Sequence, residues 1–194
     1  MRISKEPEER KQEILETAMK LFAQNGFEKT SISDIAREIG VAQGLCYRYF
    51  PSKDVLFQTA LDEYANMLIS KMTKDIDIKQ DTLKEILNKM TLFSEHESDT
   101  YYQMFHDNQN KNFHDLLVLC VCKKLTPIVK EIIIRANQNH EINISDPETC
   151  ASFCVFGQLG ILMNNEIALN EKSDRIKAFF NKLFNFVKTK FRAY

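Results

Sequence analysis

The sequence predicts an all-α fold in which a small N-terminal three-helix unit, containing a helix-turn-helix, is joined to a larger helical domain. Apolar residues make up 44% of the 194 residues, enough for a sizeable core, whereas glycine (5) and proline (4) are scarce. Apolar side chains recur at the helical spacing of three and four residues, and recognisable alternating strand patterns are absent.

The first predicted helix covers about residues 9–25. Its apolar stripe consists of Ile14, Leu15, Ala18, Leu21 and Phe22. Asn25 and Gly26 end the helix, and the charged residues 1–9, which include Pro7, are interpreted as a loose arm. Two helices alone bury too little apolar surface to stay folded, so this helix is expected to pack against the motif that follows.

A helix-turn-helix is predicted for residues 30–53. Ser31 and Asp34 have the spacing of a capping box, which places a helix start at this point. Gly40 is the residue best able to adopt the left-handed conformation that ends a helix. The next helix then carries Gln43 and Gly44 in its first turn, which is the layout of a DNA-reading motif.

Pro51 marks the predicted domain boundary. Proline disfavours continuation of the preceding helix, and Ser52 is a good N-cap for a new helix that runs to about residue 74. This long helix links the two parts of the chain. The predicted domains are residues 1–53, which bind DNA, and residues 54–194, which form a regulatory domain for ligand binding and dimerisation.

The larger domain is predicted to contain helices at about residues 82–95, 99–110, 113–138, 147–169 and 173–191. The third of these is apolar on more than one side, and Pro127 is expected to kink it. The fourth is apolar almost all round and contains Gly157 and Gly160, so it requires partners on two sides.

The charge of the chain gives little support for nucleic-acid binding. The net charge is −1, and residues 1–53 carry nine Lys or Arg against eight Asp or Glu, so DNA contacts must come from individually placed groups. The longest uninterrupted apolar run, residues 116–122, is too short to span a bilayer, and no signal peptide is recognisable. We expect a soluble cytoplasmic protein without a membrane partner, whose five cysteines are reduced.

Residues 30–53 resemble the DNA-binding motif of the TetR family of bacterial transcriptional regulators. The matching residues are Thr30-Ser31, Asp34-Ile35-Ala36, Gly40-Val41, Gly44, Tyr47-Arg48-Tyr49-Phe50 and Lys53. The resemblance covers about the first 55 residues. It implies a homodimer that binds palindromic operator DNA, most often as a repressor, and that releases it when a small molecule enters the larger domain.

The resemblance also implies which residues contact DNA. Gln43 is suited to pair with adenine, and Gly44 lets the backbone approach the groove closely. The DNA-binding residues are predicted to be Thr30, Gln43, Gly44, Tyr47, Arg48, Tyr49 and Lys53. Ala42, Leu45 and Cys46 depart from the family pattern, so the operator sequence cannot be inferred.

Two further sites are predicted in the larger domain. A mostly apolar pocket for a lipophilic or aromatic effector is expected to be lined by Met90, Phe93, Tyr101, Tyr102, Phe105 and Phe113, although such stripes also form plain cores. A four-helix dimer interface is expected to use Phe156, Leu159, Met163, Phe179, Phe180, Leu183, Phe184 and Val187.

Alternative functions follow from other residues. A thiol- or metal-sensing regulator is conceivable because Cys150 and Cys154 lie one helical turn apart, yet no compact metal-ligand spacing involves the cysteines and histidines. The basic, aromatic last helix also fits a membrane surface, less well than a helical interface. No glycine-rich phosphate loop or nucleophile elbow is visible, so we expect neither an enzyme nor a cofactor or metal.

Overall fold

A computed structural model describes residues 5–90, 111–164 and 166–189. All regular secondary structure in these ranges is helical, which confirms the predicted fold class. The helices are α1 (Pro7–Asn25), α2 (Ile32–Ile39), α3 (Gln43–Tyr49), α4 (Lys53–Met72), α5 (Leu83–Lys89), α6 (Lys111–Gln138), α7 (Pro147–Phe156), α8 (Leu159–Leu162) and α9 (Leu169–Thr189). Within the described ranges, no helix is long and apolar enough to cross a membrane.

The start of α1 differs from the sequence prediction. The helix begins at Pro7, so this proline is part of the first turn rather than of a loose arm. Proline fits that position because its fixed φ is helical and its missing N–H would have no partner there. Glu8 and Glu9 also lie in the first turn, where negative charge interacts favourably with the helix dipole.

The described residues form two compact units. The first consists of residues 5–67 and 111–120, and the second of residues 68–90, 121–164 and 166–189. The chain therefore passes from one unit to the other within α4 and again within α6. The two compact units divide within α4, after residue 67, whereas the predicted domain boundary lies between residues 53 and 54. That domain boundary stays a prediction.

The first unit has its core between α1, the helix-turn-helix and α4. Its largest fully buried side chains include Ile14, Phe22, Ile35, Cys46, Phe50 and Leu56. Phe27, which follows the glycine that ends α1, packs its ring against Phe22 and Phe57 with centroid distances of 5.6 and 4.7 Å. The loop after α1 is thereby fixed to α4.

The second unit packs α5, the C-terminal part of α6, α7 and α9 around one apolar cluster. Its buried members include Ile86, Ile132, Ile133, Ala151, Ile176 and Phe180. The Asn137 side chain donates to the Ile144 carbonyl at 2.8 Å and accepts from the Ile144 N–H at 2.9 Å, which fixes the connection between α6 and α7. The Leu83 N–H at the start of α5 donates to the Glu141 carboxylate at 2.7 Å.

The helix predicted for residues 147–169 is interrupted. It forms α7 and the short α8, with a turn at Gly157 and Gln158 between them. The Gly157 N–H donates to the Phe153 carbonyl at 2.9 Å, and a Cβ at position 157 would lie 2.5 Å from that oxygen. Only glycine fits this tight turn, so the residue that was read as a small helix-packing position is where the helix ends. Pro127 lies inside α6, and the helix continues on both sides of it.

Candidate functional site

The position of α2 is set by the predicted capping box. The Asp34 N–H donates to Ser31 Oγ at 3.1 Å, and the Ser31 N–H donates to Asp34 Oδ2 at 3.0 Å. The bonds from Ser31 are the main reason why the pKa of Asp34 lies below its usual range, and the Arg37 guanidinium, 2.6 Å from Asp34 Oδ1, lowers it further. The start of α2 is thus held by two reciprocal bonds.

The turn between α2 and α3 depends on Gly40. Its φ of 75° and ψ of 34° lie in the left-handed region, where a Cβ is unfavourable. The Val41 N–H then donates back to the Ala36 carbonyl at 2.9 Å. Val41 is half-buried. This turn sets the direction in which α3 leaves α2.

The inner side of the motif is apolar. Ile32, Ile35, Ala36, Cys46 and Phe50 are each at most 3% exposed. Burial raises the pKa of the Cys46 thiol above its ordinary value. Cys46 is therefore a small core residue, and its departure from the family pattern does not change the outer surface of α3.

The outer side of α3 brings together four of the predicted DNA-binding residues. Gln43, Gly44, Tyr47 and Arg48 are all exposed, and Tyr47 retains 46% of its accessible surface. Their spacing of i, i+1, i+4 and i+5 places them on one face of the helix. Apart from its own turn of helix, no described atom lies within 4 Å of a Cβ placed at Gly44, so the missing side chain makes room for none of the described residues.

Two features at the ends of α3 complete this face. Ala42 is the N-cap and makes no side-chain cap bond, as its methyl side chain requires. Tyr49, in the last turn, is half-buried, so only part of its side chain faces outward.

Thr30 is a correction to the predicted contact set. The residue is 1% exposed, and its hydroxyl oxygen lies 2.9 Å from the Gly26 carbonyl oxygen and 3.1 Å from that of Leu21, which share its single hydrogen. A buried hydroxyl that is already bonded to two carbonyls cannot reach a phosphate. Thr30 instead holds the loop between α1 and α2 to the end of α1.

Lys53 has a role within the chain that the sequence did not show. Its ammonium group donates to the Phe27 carbonyl at 2.8 Å and lies 4.1 Å from the centre of the Phe27 ring. The bond joins the first residue of α4 to the loop after α1. An ammonium has three donors, so this contact leaves capacity for a phosphate as well.

The second unit contains a cavity that differs from the predicted pocket. The space between its lining residues and the open solvent at its mouth together amount to about 450 Å³. It is lined by Leu83, Ile86, Leu87, Met90, Leu125, Val129, Ile132, Ile133, Cys154, Val155, Gln158, Phe180 and Phe184. Met90 is the predicted residue that lines it. The other five, Phe93, Tyr101, Tyr102, Phe105 and the Phe113 side chain, lie outside the described residues.

The predicted dimer residues divide into two groups. Phe156, Met163, Phe179 and Leu183 are exposed, and Leu159 is half-buried. Phe180 and Phe184, at 6% and 8% exposure, belong to the core of the second unit and line its cavity, so they are not free for a partner. Val187 lies outside the described side chains.

Phe153, which the predicted dimer set does not include, is 76% exposed. The sequence signal was present, because Phe153 and Phe156 lie three residues apart and share a face of α7. Because apolar residues also lie on the other sides of α7, the sequence did not distinguish this pair from core positions.

The cysteine pair predicted on α7 is in contact. The Cys154 thiol donates to Cys150, which lowers the pKa of Cys150 to about 7, whereas this bond and burial raise the pKa of Cys154. Cys122 is buried, which raises its pKa to about 11, and the Cys120 thiol contacts Asp62 Oδ1 at 3.3 Å. The described part of the chain contains no group of three or more His, Cys, Asp or Glu arranged to hold a metal.

Comparison with known proteins identifies the first unit. The family model for bacterial regulatory proteins of the tetR family matches residues 14–60, which include α2 and α3. The HTH-type transcriptional regulator YerO of Bacillus subtilis is 31% identical over 125 residues, which is 64% of this chain. The aligned segment spans 39% of the length of that relative.

Solved structures extend the likeness to almost the whole fold. A TetR-family transcriptional regulator from Rhodococcus sp. superposes with a TM-score of 0.69 at 18% identity, covering 91% of this chain and 99% of that one. FadR from Bacillus subtilis, solved in complex with stearoyl-CoA, gives a TM-score of 0.61 at 23% identity, covering 89% and 97%. Residues 14–60 thus match the tetR family of bacterial regulatory proteins, and the chain shares the all-helical fold of solved TetR-family regulators.

Proposed function

We propose that this chain is a ligand-responsive transcriptional regulator that represses its target genes. It binds palindromic operator DNA as a homodimer in the cytoplasm and releases the DNA when a small, apolar effector binds the second unit. The observation that carries this proposal is the two-sided construction of α3. Its inner side is core, whereas Gln43, Gly44, Tyr47 and Arg48 form an outer face with no packing role.

Each residue of this face has chemistry that suits duplex DNA. The Gln43 amide can donate to and accept from the edge of an adenine in the major groove, and Gly44 leaves room for the DNA backbone. The Tyr47 hydroxyl, the Arg48 guanidinium and the Lys53 ammonium suit phosphate oxygens, and the exposed part of Tyr49 extends that set. Specificity then rests on Gln43, and general affinity on the others.

The homodimer is proposed from the outer faces of α7 and α9. Phe153, Phe156, Phe179 and Leu183 are large apolar side chains that keep between 36% and 76% of their surface accessible. A second copy of the chain would cover the same residues by two-fold symmetry, which suits a self-complementary helical interface. Two copies also supply two reading helices for the two halves of a palindrome.

The effector class is proposed from the cavity of the second unit. Its lining is almost wholly aliphatic and aromatic, which suits an apolar molecule. FadR of Bacillus subtilis, which shares the fold, was solved with stearoyl-CoA, a molecule with a long apolar chain. That likeness supports an apolar effector in general and does not identify it.

The test is selection of bound DNA fragments by the full chain, followed by affinity measurements on the selected site. Tyr47→Phe is expected to weaken binding about equally on all sequences, whereas Gln43→Ala is expected to change which sequences are preferred. Selection of no sequence, or unchanged binding by a Tyr47→Phe/Arg48→Met double variant, would contradict the proposal. Sizing of the complex then gives its stoichiometry.

A second candidate is regulation by thiol modification. The specific observation is the Cys154 thiol bonded to Cys150, which favours the reactive thiolate of the half-buried Cys150 at neutral pH. The described residues offer no metal cluster, so this candidate concerns thiol chemistry. Its test is operator binding before and after alkylation of Cys150, with a Cys150→Ser variant as control.

A further inference from the structure

Gln158 lines the cavity of the second unit, and one polar atom of its side chain has no hydrogen-bond partner among the described residues. Its Oε1 is buried and accepts no hydrogen bond, although the residue lines a cavity whose other members are apolar except for Cys154. A buried carbonyl oxygen without a donor is unfavourable, because it loses its bonds to water and gains none. A molecule that supplies a donor at this point would remove that penalty.

The main chain holds Gln158 firmly in this position. Its carbonyl accepts from the N–H groups of Ile161 and Leu162, both at 3.0 Å, so the residue is fixed as the start of α8. The tight turn at Gly157 leads directly into it. These bonds fix the backbone of Gln158 at the wall of the cavity.

The neighbouring polar group is already in use. Cys154, one helical turn before Gln158, donates its thiol hydrogen to Cys150. It is therefore not available to Gln158. None of the described lining residues carries a charge, so a carboxylate or phosphate would enter without a counter-ion.

We propose that the cavity binds a neutral, mainly apolar molecule with one hydrogen-bond donor, such as an alcohol, whose donor bonds Gln158 Oε1. The apolar body of the ligand contacts Leu87 and Val129 from α5 and α6, and Phe180 from α9. This inference rests on the proposed function, since it specifies the effector class of that regulator. It excludes free carboxylic acids at neutral pH and molecules that only accept hydrogen bonds.

The experiment compares three probes of similar size on the full chain without DNA. 1-Nonanol and 1-methoxyoctane are isomers that differ in having a donor, and nonanoate adds a charge. Isothermal titration calorimetry is expected to show at least about tenfold tighter binding of the alcohol than of the ether, and weaker binding of nonanoate. Equal binding of the isomers, tighter binding of nonanoate, or binding of none of the probes would overturn the assignment.

Variants test the residue itself. Gln158→Leu is expected to bind the two isomers equally and to melt at or above the temperature of the wild type, because it removes the unpartnered oxygen. Gln158→Met serves as a second apolar variant, and Gln138→Leu, at an exposed glutamine, is the matched control that keeps the preference. A preference for the alcohol in both Gln158 variants would overturn the proposal.

The same probes separate this inference from the proposed function. Alcohol binding that leaves operator affinity unchanged would support the site but contradict its regulatory role. Operator binding that responds to an effector which needs no donor would support the regulator and overturn the Gln158 assignment.

Discussion

Lys53 and Phe27 are joined by two contacts across 26 residues of sequence. The Lys53 ammonium donates to the Phe27 carbonyl at 2.8 Å, and it lies 4.1 Å from the centre of the Phe27 ring. The ring in turn packs on Phe22 and Phe57. The residue that the family pattern assigns to phosphate binding therefore also fixes the start of α4 to the α1–α2 loop.

Lys53→Met is expected to lower both stability and operator affinity. The variant keeps the apolar stem but loses the charged donor and the cation–π contact, which together contribute about 1–2 kcal/mol. Urea unfolding and operator titration measure the two effects. The control is Arg48→Met, since Arg48 is exposed on α3 and should affect operator affinity alone. Unchanged stability of Lys53→Met would show that the Phe27 contacts are energetically neutral.

Gly44→Ala is expected to separate folding from DNA binding. A Cβ at this position meets no heavy atom within 4 Å, so the change should leave stability within about 0.5 kcal/mol of wild type or raise it. Operator affinity should fall at least about tenfold, because the methyl group occupies space that close approach to DNA requires. Wild-type affinity in this variant would rule out close backbone approach at Gly44.

Gly40→Ala is the comparison variant for Gly44→Ala, because it makes the same substitution at the other glycine of the helix-turn-helix. Its φ of 75° is unfavourable for alanine, so stability should fall by about 1 kcal/mol, as measured by thermal unfolding. Operator affinity of the folded fraction should change less than in Gly44→Ala.

The features that were predictable from the sequence are those that neighbouring residues determine. The capping box of Ser31 and Asp34, the left-handed Gly40 and the exposed face of α3 each depend on residues within one or two helical turns. Thr30 and Lys53 were different. Their bonds to Gly26 and Phe27 depend on how α1, α2 and α4 pack, which helical periodicity alone cannot show.

In the second unit, too, helical periodicity does not show which apolar residues are buried. Phe179 and Phe180 are adjacent in an apolar stripe, yet one is 59% exposed and the other 6%. A stripe predicts that a helix has an apolar face, whereas the division of that face between the core and an exposed surface depends on the neighbouring helices. Gln158 lies within the helix predicted for residues 147–169, whereas the structure ends α7 before Gly157 and places Gln158 at the start of α8.

Phe179→Glu is expected to weaken the proposed homodimer without unfolding the chain. The side chain is 59% exposed, so a charge there costs little in the single chain but is unfavourable when a second copy covers it. Sedimentation should give a dimer dissociation constant at least about tenfold higher than that of wild type, and operator affinity should fall as the dimer dissociates.

The comparison variant is Phe180→Ala. Phe180 is 6% exposed, so its truncation should cost about 3 kcal/mol of folding stability through the cavity that it creates. A dimer that is unaffected in Phe179→Glu would place the interface elsewhere on the chain.

Alkylation of Cys150 is expected to follow a pKa near 7. The bond from the Cys154 thiol stabilises the Cys150 thiolate in the folded chain, so the pKa is lowered from its ordinary value of 9.0 to about 7. The reactive thiolate fraction therefore rises about tenfold between pH 6 and pH 8 and changes little above that range. The rate is measured with iodoacetamide and mass spectrometry of the peptide that contains Cys150.

Two variants of Cys154 test the cause of that shift. Cys154→Ala removes the donor, so the pKa of Cys150 should move back towards 9.0 and the midpoint of the rate profile should move to higher pH. Cys154→Ser keeps a hydroxyl donor and should retain a lowered midpoint. A midpoint near 7 in the alanine variant would assign the shift to the position of Cys150 in the first turns of α7, where the helix dipole also favours a thiolate.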